Sequence, residues 1–554
     1  MSNKLPSWIE ERRYPVYLLL LCGVLFLPGL GARDFWAPVE PRYAEIARIM
    51  FAKGEWIVPR VNGELYTDKP ILYFWLVLVA SNIAGSVNEW TVRLPAALGG
   101  VGFVLVTYFF GRDFFSARVG AIAAIVLATS FRVIWESRWA HIDMLFGCLF
   151  LLTIYFGART LLRRGEPHEI LFAYVFMALA TLAKGLIGVV LPALLFIAFM
   201  LARRDWSMIR TAKLALGVPL FLLVAAPWFY LVDRATGGRW LNDFIYIHHF
   251  RRYTAGVGHR QPFYYYFATL PVDFLPWTVF SIPALIARWR NYRRAWTEPH
   301  IQFCLLWFLS VFVFFTISDT KRDLYLLPLM PVLALFVAHY LDDLATRRIT
   351  PSVIFSRLII IFFGIVAISG LALPIAAWVG WRDAFWPIFP ASLVLAAGGS
   401  LTVTLIVRRK VLAAGASVSL MMLLTMTAVA LWLFPYYIEG FKSHRRFSLE
   451  IRRMVPAGAP LYVYADSMHD FNFYTQREEI PVLTSAAQID SLRAGEEKSY
   501  LLIKQRDLRR LANRLPERII VGTPIGNTTW NLFELQSMNG QNKINDSKMR
   551  TQRQ

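Results

Sequence analysis

Three stretches of this chain gather side chains that can handle a phosphate or a proton. In "YTDKP", Asp68 and Lys69 stand together just ahead of an apolar run. A lysine there would meet a lipid phosphate at headgroup depth as a compact positive charge. It would equally serve as a snorkelling lysine at a helix end. "SRWAHIDMLF" sets Asp143 at the outer mouth of an apolar span, with His141 two residues earlier. Ionisable groups at that depth are functional candidates by default, the plainer role being a capping or ion-paired aspartate. Asp273, in "LPVDFLPW", is a similar case with less around it.

The densest polar and aromatic stretch is "YIHHFRRYTAGVGHRQPFYYYF". His248 and His249, with His259, offer ligands for zinc, but adjacent histidines share one metal poorly, so a carboxylate from elsewhere would have to join them. A solvated loop is the competing reading. Arg251, Arg252, His259 and Arg260 together would make a phosphate clamp. No Gly-rich phosphate loop, G-x-S-x-G or H-E-x-x-H occurs. A lipid-carried donor therefore fits better than a soluble nucleotide sugar or ATP.

The elements that must hold these residues are membrane spans. The 554 residues are 56% hydrophobic and 15% aromatic, with a mean hydropathy of +0.46. Apolar blocks long enough for a ~30 Å hydrocarbon core recur along the chain. The expected fold class is a polytopic α-helical membrane protein with about thirteen spans. They are expected near 14–31, 94–111, 117–135, 141–158, 169–183, 185–202, 213–232, 263–287, 301–318, 324–341, 353–379, 384–407 and 411–434. Cys22, Cys148 and Cys304 fall inside spans and read as small core hydrophobes. The first helix, lacking a small-residue cleavage site, reads as a retained anchor.

Charge sets the topology. The net charge of +21 comes from 58 basic and 37 acidic residues, most of the excess in short clusters between apolar blocks. That pattern argues against nucleic acid as a partner. Lys4, Arg12 and Arg13 put the N-terminus in the cytoplasm. If residues 71 to 85 do not cross, Arg112/Arg118, "RTLLRRGEPH", "RRDWSMIRTAK", "RWRNYRR", "ATRR" and "RRK" all face the cytoplasm too. If they do cross, all of these clusters face outward. The run is therefore expected to be an interfacial helix, and 32–93 one long outer loop with two juxtamembrane helices. In it, Tyr43, Ile46, Ala47 and Met50 share a helix face.

From about Tyr436 the composition turns globular. Strand-like runs "APLYVYA", "SYLLIK" and "RIIVGT" alternate with helical segments such as "DLRRLANRL". The expected organisation is 1–435 as the transmembrane catalytic part, 436–540 as a small α/β domain on the outer face, and 541–554 as a disordered tail.

The motifs "EPRYAEIARIM…GEWIVPRVNGELYTDKP", "RWAHIDML", "LAKGLIGVVLP", "GHRQPFYYYF…FLPW" and "SDTKRDLYLLPLMP" together resemble the bacterial GT-C glycosyltransferases of the protein-mannosyltransferase superfamily. Within it they resemble the transferases that place 4-amino-4-deoxy-L-arabinose on lipid A. The resemblance covers roughly residues 10 to 345. It implies a GT-C fold, an inner-membrane location, an undecaprenyl-phosphate-linked sugar donor and a lipid A acceptor on the periplasmic side. It makes Lys69 the lysine of the lipid-phosphate site, with Arg251 or Arg252 and Tyr325 as companions, and matches Glu40 and Asp143 to catalytic acidic positions. Arg42, Tyr43, Asp68, His259, Arg260 and Lys321 fall in the same motifs as orienting residues.

The chain departs from the family at Val39-Glu40, where many members carry two adjacent acidic residues. A hydroxyl acceptor needs a base; a lipid A phosphate is already anionic and needs only positioning and cations for the departing phosphate. Losing one carboxylate thus favours the phosphate acceptor and leaves Glu40 to orient Arg42 or meet the aminosugar's ammonium. A protein hydroxyl or glycan acceptor is the alternative. A lipid-linked sugar flippase is the alternative of another class; it would need inverted repeats and midplane polar residues, whereas the ionisable groups crowd the outer end, Asp273 and Arg357 excepted.

Overall fold

The computed structural model describes residues 7–251, 260–290, 296–495, 497–511 and 519–535, without the side chains of 7–12, 249–251, 287–290 and 509. The expected tail, 541–554, lies outside them. The chain divides into two compact units: Met1–Leu30, Thr67–Ile83 and Arg93–Leu433 form one; Gly31–Tyr66, Ala84–Val92 and Phe434–Gln554 form the other. Residues 31–66 and 84–92 thus fall in the unit that contains the C-terminal segment.

The first unit is helical. Among the described residues, eight helices are long and apolar enough to cross a membrane, or up to ten if each of two bent pairs counts as one span. Arg13–Phe26 and Ile187–Arg203 are shorter apolar helices, and Glu169–Lys184 covers the span expected over 169–183. The chain is a multi-pass membrane protein. Leu72–Ala84 has 13 residues, about 20 Å at 1.5 Å per residue, well short of a hydrocarbon core. Helices Glu89–Phe114 and Ala117–Ala128 meet at Gly111 and Gly120, where a Cβ on Gly111 would lie 2.5 Å from the Gly120 Cα. Only a missing side chain permits that approach.

Two expected spans are not continuous. The helix expected over 117–135 bends by 67° between Ala128 and Phe131. There the Thr129 and Ser130 hydroxyls donate back to the carbonyls of Ile125 and Val126 at 2.6 and 2.7 Å. The N–H of Phe131 leaves the helix for the Leu275 carbonyl, 2.9 Å away. The span expected over 263–287 turns by 115° between Tyr265–Asp273 and Thr278–Ile286; Pro276 lies in the break and has no N–H to continue the ladder. The two bends support each other, because Trp277 Nε1 donates to Thr129 Oγ1 at 3.0 Å.

The second unit opens with the helix Val39–Lys53, then a hairpin of β1, Arg60–Val61, and β2, Glu64–Leu65. Its two-residue turn is Asn62-Gly63, with φ of 53° and 78°; positive φ at both positions is what makes Asn-Gly the favoured pair for such a turn. The C-terminal part builds a mixed sheet from β3 (Leu461–Tyr464), β4 (Val482–Leu483), β5 (Ser499–Lys504), β6 (Ile519–Ile525) and β7 (Thr528–Leu535). The order is β4-β3-β5-β7-β6, with β3 parallel to β4 and β5 and the other pairs antiparallel. Side-chain alternation sends Leu502 to one core with Phe447, Phe471 and Trp530, and Leu501 and Ile503 to a second core with Ile489 and Phe533. The three runs read as strands from the sequence are β3, β5 and β6.

The loop and the C-terminal segment are stitched by side chains. Asp34 accepts from Ser443 Oγ at 2.7 Å and Arg445 Nη1 at 2.9 Å. The Phe35 N–H donates to the Tyr474 hydroxyl, which donates on to Glu89. Asn62 exchanges hydrogen bonds with the backbone of Ile480, at 2.7 and 3.2 Å. These contacts tie residues some 400 positions apart into one folded body.

Candidate active site

In the first unit the site is built at helix ends. Asp143 occupies the first turn of Ile142–Leu161, and Lys184 closes Glu169–Lys184 just before Gly185, which turns the chain at φ 90°. The Lys184 ammonium bonds the Asp143 carboxylate at 2.5 Å. It also lies 4.9 Å from the Phe146 ring centroid and 5.0 Å from that of Tyr325. Both members of the pair are largely buried, at 8% and 13% side-chain exposure. An aspartate in the first turn and a lysine in the last complement the helix dipoles.

More positive charge converges on this pair. Lys69 and Arg322 lie close enough to Lys184 to repel it, and Arg322 and His141 act on Asp143. Lys69 is partly open, at 20% exposure, and its ammonium contacts the Asp68 carbonyl and carboxylate, both at 3.2 Å. Asp68 in turn faces His248 Nδ1 at 3.4 Å, while His248 Nε2 meets Thr67 Oγ1 at 3.1 Å. Lys69, Asp68, His248, Asp143 and Tyr325 are therefore brought to one region of one unit, with three cations around it. Such a place suits a phosphate.

The sequence motifs assign no role to Lys184 or Arg322. Lys184 carries a visible signal, a lysine ending an apolar run immediately before Gly-Leu-Ile-Gly.

Behind this region runs a charged network. Arg132 donates to Asp273 at 2.5 and 3.0 Å, to Glu136 at 3.1 Å and to Asp323. Glu136 holds His141 Nδ1 at 2.6 Å. Asp273 thereby acquires the partner that the sequence could not name. Lys321, only 4% exposed, donates to the carbonyls of Gln261 and Ser318. Arg260 is exposed, and its backbone bridges Thr320.

Arg252 and His259 lie outside the described residues, as do the side chains of His249 and Arg251. Among the described residues no group of three or more His, Cys, Asp or Glu side chains could hold a metal. Asp68 and His248 supply two candidate ligands.

The acidic motif of the first loop sits in the second unit. Glu40 has no exposed surface. It is gripped by Arg33 through both terminal nitrogens, at 2.7 and 3.0 Å, and accepts the Trp36 N–H at 3.0 Å. Its place in the first turn of Val39–Lys53 adds a favourable dipole. Tyr43 is buried on the same helix, and Arg42 lies within electrostatic reach of His469.

Comparison with known proteins assigns the class. The fold is that of crystal structures of ArnT from Cupriavidus metallidurans: the apo form superimposes with a TM-score of 0.79 at 24% identity, covering 95% of this chain and 98% of that one. The form bound to undecaprenyl phosphate gives 0.78 at 23%. Residues 68–231 match the model of the dolichyl-phosphate-mannose-protein mannosyltransferase family. The undecaprenyl phosphate-alpha-4-amino-4-deoxy-L-arabinose arabinosyl transferase of Shewanella sediminis is 27% identical over 84% of this chain and 85% of its own length. That of Pseudomonas paraeruginosa is 30% identical over 60% and 61%.

The chain is a glycosyltransferase of the GT-C class, embedded in a membrane. Over residues 68–231 it is similar to the dolichyl-phosphate-mannose-protein mannosyltransferases, and over most of its length to aminoarabinose transferases.

Proposed function

We propose that this enzyme transfers 4-amino-4-deoxy-L-arabinose from undecaprenyl phosphate to phosphate groups of lipid A, at the periplasmic face of the inner membrane. The convergence of Lys69, Lys184 and Arg322 beside Asp143 and Tyr325 carries the reading. The names of relatives matched over most of the chain support it. A lipid A phosphate oxygen attacks the anomeric carbon as the bond from that carbon to the undecaprenyl phosphate oxygen breaks. The departing phosphate keeps the electron pair, and Lys69, with Arg251 or Arg252, neutralises it.

The acceptor is already anionic, so no proton has to be removed. Asp143, held by Lys184, would orient the donor's aminosugar or the acceptor. Glu40, held by Arg33, would fix the entry of the helix Val39–Lys53. Arg42, Tyr43, His259, Arg260 and Lys321 are assigned to orientation. Asp68 and His248, with His249 adjacent in sequence, are the residues that would hold a zinc ion, whose chemistry there would be Lewis-acid polarisation of a phosphate oxygen. In this reading the N-terminus is cytoplasmic, 1–435 carries the catalytic spans and 436–540 is periplasmic, following the positive-inside distribution of the loops.

The test is lipid A mass spectrometry in cells lacking their own aminoarabinose transferase. Adducts with this protein and none with an equally expressed Lys69→Ala variant are expected. A well-expressed wild type that yields no adduct overturns the acceptor. The family match over 68–231 then directs the next assay to mannosyl-phosphate lipid and a hydroxyl-bearing peptide.

A further inference from the structure

The second unit contains a cavity lined by none of the residues assigned to the transfer reaction. Its volume of about 450 Å³ falls within the range of small-molecule sites. Two lysines and a histidine line it and no aspartate or glutamate does. The Lys442 ammonium lies 5.8 Å from the Trp36 ring centroid and 5.7 Å from that of Tyr437. Across the lining, Lys504 lies 4.9 Å from the Trp530 ring and is paired with Asp466, which is not among the lining residues. His444, its Nδ1 held by Asp470 at 2.9 Å, completes the polar wall. Gly526 and Asn527, both exposed, form the rim at the turn between β6 and β7.

We propose that this cavity binds a phosphorylated saccharide. Two ammonium groups with no carboxylate in the lining select an anion and repel a cation. Trp36 and Tyr437 hold Lys442 by cation–π attraction, so its charge is positioned before any ligand arrives. The same rings, partly exposed, offer flat apolar surface to the C–H face of a sugar. A polyprenyl tail is excluded because it would strip water from the lysines without replacing it. Every lining residue belongs to the second unit, whereas Lys69, Asp143 and Lys184 belong to the first. The proposal makes no assumption about the acceptor of the transfer reaction.

Saturation-transfer-difference NMR on the detergent-purified full chain tests it, with glucosamine 6-phosphate, glucosamine and inorganic phosphate as probes. Glucosamine 6-phosphate is expected to give sugar-ring signals, with glucosamine about tenfold weaker, the loss of one charge-assisted contact. Lys442→Gln should weaken binding by a similar factor, and Lys69→Ala should leave it unchanged. Asn527→Asp, on the exposed rim, adds a negative charge without touching the core and should also weaken it. Inorganic phosphate should displace the ligand. Binding that survives Lys442→Gln, Lys504→Gln and Asn527→Asp at full strength overturns the site. Loss of binding in Lys69→Ala overturns it too, by moving the ligand to the donor region. Displacement by phosphate with no ring signals at any concentration overturns the saccharide.

Discussion

Arg33 holds Glu40 by both terminal nitrogens where the carboxylate has no contact with solvent. The pair fastens the chain entering Val39–Lys53 to the helix's first turn, seven residues apart. Removing either partner strands a buried charge, which typically costs about 3–5 kcal/mol. Arg33→Ala is therefore expected to lower the melting temperature sharply, and Glu40→Gln less so, because a neutral amide still accepts the Trp36 N–H. Transfer activity should fall in step with folded protein in both. A Glu40→Gln protein that melts like wild type and transfers at full rate would remove Glu40 from the reaction altogether.

Lys69 is the opposite case. Its ammonium is part-exposed and hydrogen-bonds its sequence neighbour Asp68, so Lys69→Ala should change stability by less than about 1 kcal/mol. Its effect belongs to the chemistry: losing one preorganised charge at a departing phosphate should cost roughly 10²–10³ in kcat. Lys69→Arg should recover part of it, since the charge returns with different geometry. Steady-state transfer with purified lipid donor, alongside a melt, separates the two effects.

Asp143 and Lys184 should behave as a unit. Asp143→Leu leaves Lys184 buried against Phe146 and Tyr325 without its counter-charge, and Lys184→Met leaves the carboxylate without its hydrogen-bonded partner. Each single change is expected to destabilise by about 3–5 kcal/mol. Asp143→Leu combined with Lys184→Met should recover much of the loss in stability yet none of the activity. A coupling energy near zero in this cycle would show that the pair is not held as described.

Much of the fold was legible because a hydrophobic span reports itself locally. Leu72–Ala84 is as short as its 15-residue apolar run suggested, and the runs in "APLYVYA", "SYLLIK" and "RIIVGT" are strands β3, β5 and β6. What stayed hidden depends on distant partners. Asp273 looked unplaced because Arg132 lies 141 residues earlier. The bend after Ala128 turns on Phe131 choosing the Leu275 carbonyl, a choice no window around residue 130 contains. The first loop reads as an appendage of the spans until Asp34 meets Arg445 and Asn62 meets Ile480. At the site, Lys69 and Asp143 could be named from motif and depth. Lys184 could not, because its role comes from standing against Asp143 and Tyr325.

His469 begins the helix His469–Thr475 in the second unit, and its pKa is lowered from 6.5 to about 4, first by burial and then by the nearby Arg42 charge, against a smaller pull from Asp470. Its Nδ1 has no hydrogen-bond partner among the described residues. The folded state therefore keeps this ring neutral while the unfolded chain takes a proton near pH 6.5. Above that pH the histidine has no effect on stability. Between pH 6.5 and 4 stability falls, by about 3 kcal/mol at full extent. Glu45 works in the reverse sense: burial pushes it up to about 7 against the pull of Arg48, so its contribution weakens as pH rises from about 4.5 to 7. Comparing variants separates the two. In a Glu45→Gln background, which removes the opposing carboxyl, hydrogen exchange of peptides spanning 461–475 in the full chain should show protection falling between pH 6.5 and 5. The fall should be absent in His469→Asn and shifted to lower pH in no variant; Arg42→Gln should shrink it by letting the histidine keep its proton more readily. An unchanged profile in His469→Asn would mean that another group controls acid opening of this unit.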